Sequence, residues 1–199
     1  DKYREYVNPS MANLLKFGGF AVPEKDAYGV YIRDIAGNEY LDCVGGYGAF
    51  SLGHLHPRVV QAVKDQLTKE ALKSHYFMST ELADLCELLA KVTPGNLQYS
   101  FICNSGTEAV EGALKAARVH TGRPGFVSAQ NGFHGKTFGG LSVSGREVYK
   151  QAFYPLLPNV KNVPFGDTQA MAEAVDNTTA AVILEVIQGE GGVILPPDG

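Results

Sequence analysis

The stretch NSGTEA places hydroxyl and glycine residues between an apolar run and a helical pattern. Residues 101–103 predict the end of a buried strand, and Ser105 follows at a helix N-cap position. Glu108 stands three residues further on, which is the spacing of a capping box. Gly106 and Thr107 then leave free backbone N–H groups at the positive end of a helix. The turn is a candidate phosphate or carboxylate site, and the alternative is an ordinary strand–helix turn that holds only water.

Two later stretches carry further candidates. In NGFHGKTFGG, Phe133 and His134 form an aromatic–imidazole pair that suits a flat heterocycle, with a packed turn as the alternative. In VILEVIQGEGG, Glu185 stands near the end of a strand and Glu190 in the loop beyond it. Carboxylates at the carboxyl ends of parallel strands face the crevice where α/β sheets bind ligands. The competing interpretation of Glu185 is a helix cap or a salt-bridge partner.

Several familiar motifs are excluded by single residues. Gln130 stands where a P-loop requires glycine, so the GKT triplet is not a nucleotide loop. Two glycine pairs fail to complete a dinucleotide-binding fingerprint, because Ser51 and Ile194 occupy the third glycine position. His54 and His56 have no cysteine or carboxylate at zinc-like spacing nearby. No metal site is predicted.

The composition restricts the class of protein. The 199 residues suffice for one domain with a sizeable core, or for a domain with a small appendage. A net charge of −4 with mixed signs gives no basic surface for nucleic acid, and no apolar run is long enough to span a membrane. The N-terminus lacks the apolar core of a secretion signal. Three cysteines, Cys43, Cys86 and Cys103, are interpreted as free, buried thiols, which favours the cytoplasm.

Strands alternate with helices along the chain and predict an α/β layered fold with a mostly parallel sheet. An alternating pattern on both sides of residues 36–38 predicts a β-hairpin near the N-terminus. The predicted elements that follow are helices over residues 57–71 and 80–92, a strand at 99–103, a helix at 106–120, a strand at 126–129, a helix starting near Lys136, a short helix after residue 167 and a strand at 180–186.

Taken in order, NSGTEA, FHGK and VILEVIQGEGG resemble class III aminotransferases, which are pyridoxal phosphate (PLP) enzymes of fold type I. GGYGAFSLGHLHP resembles their substrate-side loop, and the resemblance extends from about residue 28 to Gly199. PLLP, VPFGD and AAVILEVIQGEGGVILPP are most similar to the putrescine (diamine) aminotransferase branch. Val186 departs from that pattern, because such family members have proline there.

The resemblance implies roles for individual residues. A first set matches the cofactor-binding positions: Ser105, Gly106 and Thr107 the phosphate cup, Phe133 the aromatic that stacks on the pyridine ring with His134 beside it, and Glu185 the strand glutamate near the cofactor. A second set matches substrate positions: Tyr47 in the pocket that selects an ω-amine, and Glu190 as the glutamate that pairs with an arginine and swings aside for different substrates.

The resemblance also implies what this chain does not contain. The lysine that forms the Schiff base is expected beyond Gly199, so no catalytic residue is assigned and the isolated chain is expected to be inactive. Residues 1–55 are expected to form an N-terminal segment, part of a small domain and the substrate-side loop. Residues 56–199 are expected to form the first half of the PLP-binding large domain, an incomplete fold type I domain.

As a whole enzyme, such a protein is expected to move an amino group from a diamine or ω-amino acid to a 2-oxo acid such as 2-oxoglutarate. The expected partners are these small molecules and a second copy in a homodimer with shared active sites. Two alternatives stay open: other PLP chemistry on the same scaffold, such as an aminomutase or epimerase, and a non-catalytic protein that binds a phosphate ligand. The sequence does not name the amine donor.

Overall fold

The chain divides into two compact units, residues 1–79 and 80–199, in a computed structural model that describes residues 2–74 and 76–197. Gly199, at which the predicted second segment ends, lies outside the described residues. The predicted boundary between residues 55 and 56 concerns the domains of a complete family member and stays a prediction. No helix among the described residues is long and apolar enough to cross a membrane.

The first unit combines three helices with a small antiparallel sheet. Its helices are α1 (Lys2–Tyr6), α2 (Pro9–Phe17) and α3 (Pro57–Lys69), and its strands are β1 (Glu24–Tyr28), β2 (Tyr31–Asp34) and β3 (Glu39–Leu41), in the order β1-β2-β3. Pro57 occupies the first turn of α3, where the missing N–H costs nothing. The predicted hairpin around residues 36–38 is confirmed as the β2–β3 connection.

The Asp34 carboxylate stabilises the turn of this hairpin. It accepts hydrogen bonds from the N–H groups of Ala36 and Asn38 at 2.8 and 2.9 Å, and from the Tyr40 hydroxyl at 2.9 Å. Asp34 is buried although it is charged. A buried carboxylate is stable when donors surround it: the hydrogen bond from the Asn38 side-chain amide at 2.9 Å, together with those above, holds the pKa of Asp34 below its usual range.

The second unit is built on a parallel sheet with the strand order β5-β4-β6. Its elements are the helices α4 (Thr80–Val92), α5 (Gly106–Thr121), α6 (Phe138–Val143) and α7 (Thr168–Ala174), and the strands β4 (Gly125–Ala129), β5 (Val160–Val163) and β6 (Thr179–Ile183). In register, Phe126 of β4 lies beside Val160 of β5 and Ala181 of β6. The α/β fold with a parallel sheet is therefore confirmed.

The core of the second unit lies between the sheet and helices α5 and α6. Leu114 of α5, Phe126 of β4 and Val143 of α6 are its buried centre, and Val110 and Ile183 pack against them. All five residues of β4 are buried, as expected for the central strand of a parallel sheet. This packing fixes the N-terminus of α5 and the carboxyl ends of β4 and β6 relative to one another.

Two sequence predictions are wrong. The segment 99–103 is not a strand: Tyr99 and Phe101 are 92 % and 78 % exposed, and no described strand pairs with the segment. Apolar residues form a strand only where a neighbouring strand accepts their backbone hydrogen bonds. The cysteines are not buried either, since Cys43 is exposed and Cys86 and Cys103 are half-buried.

Candidate active site

The first part of the site is the N-terminal turn of α5. The Ser105 hydroxyl accepts a hydrogen bond from Glu108 N–H at 3.3 Å, so the predicted N-cap is confirmed. The Glu108 carboxylate reaches one residue further than a capping box requires and accepts from Asn104 N–H at 2.6 Å. In the part of the chain that the structure describes, the N–H groups of Gly106 and Thr107 donate to no acceptor. The turn thus presents free donors at the positive end of a 16-residue helix.

The loop of residues 131–137, which follows β4, packs directly on this turn. The hydroxyls of Thr107 and Thr137 are 2.7 Å apart, and Thr137 N–H donates to the Thr107 hydroxyl at 3.4 Å. Gly135 has a φ of +117°, and a Cβ at this position would lie 2.1 Å from the Thr107 hydroxyl oxygen. The close approach therefore requires glycine at residue 135.

Glu185, two residues beyond the end of β6, connects this loop to the next one. One carboxylate oxygen accepts from Phe133 N–H at 2.8 Å, and the other accepts from Gly189 N–H at 3.2 Å. The interpretation of Glu185 as a salt-bridge partner is not supported, because its bonds go to backbone N–H groups. Glu185 is a structural link between the loops that carry Phe133 and Glu190.

His134 is buried beside this link with a ring nitrogen that has no partner. Its backbone N–H donates to the Ser144 hydroxyl at 3.0 Å, whereas its Nε2 contacts no hydrogen-bonding group in the described chain. Burial lowers the pKa of His134, and the charge of Glu185 opposes this shift only in part. The imidazole is therefore neutral at pH 7, and its Nε2 stays without a hydrogen-bonding partner among the described residues.

A cavity of about 530 Å³ opens beside Phe133. Its wall is mainly aromatic and aliphatic, and includes the rings of Phe133, Phe138, Tyr149 and Phe153. Lys136 and Glu190 are the two charged residues that line it. An apolar pocket with a few polar groups at its wall is typical of small-molecule sites.

The structure brings seven of the eight predicted site residues together in the second unit. The eighth, Tyr47, belongs to the first unit, where it is 90 % exposed in the short 3₁₀ turn Gly45–Gly48. Asp42 anchors this turn: its carboxylate accepts from Gly45 N–H at 2.9 Å and contacts the His54 ring at 2.7 Å. Tyr47 is thus presented to solvent on an anchored turn.

Four residues that hold parts of the site together were not predicted from the sequence. Thr137 and Glu111 join helices α5 and α6: the Glu111 carboxylate accepts from Gly139 N–H at 2.8 Å. Gln188 and Arg146 hold the loop that contains Glu190. Their partners are backbone groups or residues far away in the sequence, so no local spacing could reveal them.

The chain belongs to the aminotransferase class-III family, whose profile matches residues 18–199. It is similar to the ornithine aminotransferase of Toxoplasma gondii ME49, with 31 % identity over 90 % of this chain and 44 % of that chain, at a TM-score of 0.82. It is also similar to an (S)-enantioselective omega-transaminase from Thermomicrobium roseum, with 28 % identity over 89 % of this chain and 46 % of that chain, at a TM-score of 0.82.

A third similar structure is the taurine:2-oxoglutarate aminotransferase from Bifidobacterium kashiwanohense in complex with PLP and glutamate. The identity is 26 % over 89 % of this chain and 46 % of that chain, at a TM-score of 0.78. The chain spans less than half the length of each of these proteins. The fold is that of the fold type I aminotransferases.

Proposed function

We propose that this chain is the phosphate- and ring-binding part of a PLP-dependent aminotransferase. The reaction proposed for the whole enzyme moves an amino group from a putrescine-like diamine or an ω-amino acid to a 2-oxo acid such as 2-oxoglutarate. One observation carries the proposal. The free N-terminal turn of α5, the loop with Phe133 and the Glu185 carboxylate are joined into one site by hydrogen bonds between residues 30 and 52 positions apart.

The residues present fit PLP at both of its ends. A phosphate dianion suits the unpaired N–H groups of Gly106 and Thr107 and the hydroxyl of Ser105. Gly106 has open space where a side chain would stand, so the backbone can be approached closely. His134 follows Phe133 directly in the same loop, and its unpartnered Nε2 would supply a hydrogen-bonding group beside the ring.

When bound, PLP supplies an electron sink that stabilises negative charge on the carbon next to the transferred nitrogen. The residues of this chain would bind the cofactor and the substrate and orient them. The α5 turn would hold the phosphate, and the Phe133 ring would lie against the pyridine. Glu185 fixes the position of Phe133 through its backbone N–H. The apolar cavity wall would exclude water, and Tyr47 and Glu190 would contact the substrate.

The Schiff-base lysine is not assigned to any residue of this chain. We also propose that the enzyme acts in the cytoplasm as a homodimer with shared active sites. Residues 1–55 would contribute to its small domain and substrate-side loop, and residues 56–199 to the large domain. The family relationship supports these assignments.

The cofactor assignment is tested by titrating the complete protein with PLP and with pyridoxal, which lacks the phosphate. Thr107→Val should weaken PLP binding about tenfold or more, because it removes the Thr107 hydroxyl, which accepts from Thr137 N–H and would donate its own proton to the phosphate beside the free N–H groups. Pyridoxal binding should change much less. Thr121→Val is the matched control, since its hydroxyl bonds to a carbonyl at the other end of the same helix. Equal effects of both variants on both ligands would show that α5 does not bind the phosphate.

The reaction is tested with putrescine and 2-oxoglutarate. The complete, PLP-loaded protein should form glutamate only when both substrates are present. Conversion of the amine without any 2-oxo acid would instead favour an aminomutase or epimerase. Phosphate-dependent PLP binding with no turnover of diamines or ω-amino acids would favour the non-catalytic alternative.

A further inference from the structure

The hydroxyls of Thr107 and Thr137 lie together where the first turn of α5 meets the first turn of α6. Two glycine backbones pack closely against this pair. A Cβ at Gly135 would collide with the Thr107 hydroxyl, and a Cβ at Gly140 would lie 2.9 Å from the Thr107 oxygen and 3.2 Å from the Thr137 oxygen. Contacts this close are possible only because residues 135 and 140 have no side chain. The pair is therefore a built part of the fold.

Thr137 is tied to both helices by hydrogen bonds. As the N-cap of α6, its hydroxyl oxygen accepts from Gly140 N–H at 3.4 Å. Its backbone N–H donates to the Thr107 hydroxyl oxygen at 3.4 Å, and the two hydroxyl oxygens lie 2.7 Å apart. At that distance one of the two hydroxyls donates its proton to the other. The direction of this one bond determines where the other proton points.

Donation from Thr137 to Thr107 is the direction that suits an anion at the α5 turn. Both lone pairs of the Thr107 oxygen then accept from Thr137, one from its N–H and one from its O–H, so the Thr107 proton points away from Thr137. Hydrogen bonds in series polarise one another, which strengthens the last donor. In the opposite direction Thr107 would present a lone pair to a phosphate oxygen, and the two would repel each other.

We propose that Thr137 is a positioning residue that directs the Thr107 proton towards the phosphate of PLP. The donors form a relay from Gly140 N–H through the hydroxyl of Thr137 to that of Thr107, and every bond of the relay up to Thr107 lies within the described residues. The inference rests on the proposed function, in which the α5 turn holds the phosphate, and extends it to a residue of another loop. Thr137 acts through Thr107 and needs no contact with the cofactor.

The test titrates the complete protein with PLP and with pyridoxal and takes the ratio of the Kd for PLP to the Kd for pyridoxal. Thr137→Val keeps the shape of the side chain and the backbone N–H but cannot donate from the side chain. It should raise the ratio about fivefold, because the Thr107 proton is no longer directed at the phosphate. Thr137→Ser keeps the hydroxyl and should leave the ratio within about twofold of the unaltered protein. An unchanged ratio in Thr137→Val would overturn the proposal.

A double-mutant cycle separates the relay from the other role of Thr137, the cap of α6. In protein that already carries Thr107→Val, Thr137→Val should change the ratio less than about twofold, because the hydroxyl that it directs is absent. The matched control background is Thr121→Val, at the other end of α5, where Thr137→Val should still raise the ratio about fivefold. Equal increases in both backgrounds would show that Thr137 acts only through the cap, which would overturn the relay.

The same titrations separate failure of this inference from failure of the proposed function. If Thr107→Val leaves the ratio unchanged, the α5 turn does not bind the phosphate, and the proposed function and this inference are both wrong. If Thr107→Val raises the ratio and Thr137→Val does not, the phosphate site stands and only the relay is wrong. Pyridoxal binding in each variant reports whether the rest of the site is intact.

Discussion

Replacing Gly135 with alanine should break the junction between the α5 turn and the loop 131–137. The backbone at residue 135 has a φ of +117°, which L residues rarely adopt. An alanine Cβ there would lie 2.1 Å from the Thr107 hydroxyl oxygen and 2.5 Å from the Thr107 Cβ. Rotation about χ1 would move the Thr107 hydroxyl away, but it cannot move the Thr107 Cβ, which is fixed to the helix backbone. The loop or the helix turn must move.

The expected cost has two parts. A non-glycine residue in this region of φ and ψ costs about 1–3 kcal/mol. Overpacking a close contact costs about 1–3 kcal/mol more. The free energy of unfolding should therefore fall by about 2–6 kcal/mol, a large part of the roughly 5–15 kcal/mol typical of a folded protein. Part of the loss should also be seen as weaker PLP binding, because the displaced loop carries Phe133.

Urea unfolding of the complete protein without PLP measures this cost. The control is Gly112→Ala in the middle of α5, where an added Cβ would meet only the exposed Phe101 ring at 3.4 Å. Alanine is favoured over glycine inside a helix, so this variant should be more stable by about 0.5–1 kcal/mol. The same substitution thus has opposite effects at two sites. A Gly135→Ala protein within about 0.5 kcal/mol of the unaltered protein would refute the reasoning.

Three further predictions follow from buried groups. Burial lowers the pKa of His134 below 6.5, so the unfolded chain binds more protons than the folded chain, and the free energy of unfolding should fall as the pH drops below about 6.5. His134→Phe should reduce this fall, which is measured by urea midpoints from about pH 7.5 to about pH 5. Asp34→Ala should speed hydrogen exchange at the Ala36 and Asn38 amides, whereas the unaltered hairpin should lose this protection only as the pH falls through the lowered pKa of Asp34. Phe126→Ala should lower the free energy of unfolding by about 3–5 kcal/mol, measured by urea.

The helices were predictable from the sequence because their signals are local. The Ser105 N-cap and the left-handed Gly122 mark the two ends of α5, and each end lies within one residue of the predicted end. The sequence predicts a start of α6 near Lys136, whereas the helix begins at Phe138, capped by Thr137. The segment 99–103 has the composition of a strand, but pairing depends on a neighbour that composition does not describe.

The site was predictable in its parts and not in its connections. The free N–H groups at Gly106 and Thr107 follow from the start of a helix after Ser105, which the N-cap pattern predicts. The link from Glu185 to Phe133 N–H joins residues 52 positions apart, and only the parallel pairing of β4 with β6 brings them together. Glu111 and Gln188 bond to backbone groups, so no complementary side chain marks their role in the sequence.

This use of backbone groups bears on how the site tolerates sequence change. Three of its connections end on the N–H groups of Phe133, Gly139 and Gly189, which any residue except proline supplies. The donors therefore place little restriction on side chains, and the restriction falls on the acceptors Glu185 and Glu111. Close approaches add a second restriction at glycines, since a Cβ at Gly139 would collide with the Glu111 carboxylate. A few carboxylates and glycines can thus preserve this geometry while most side chains vary, in agreement with the similar fold of proteins only 26–31 % identical to this chain.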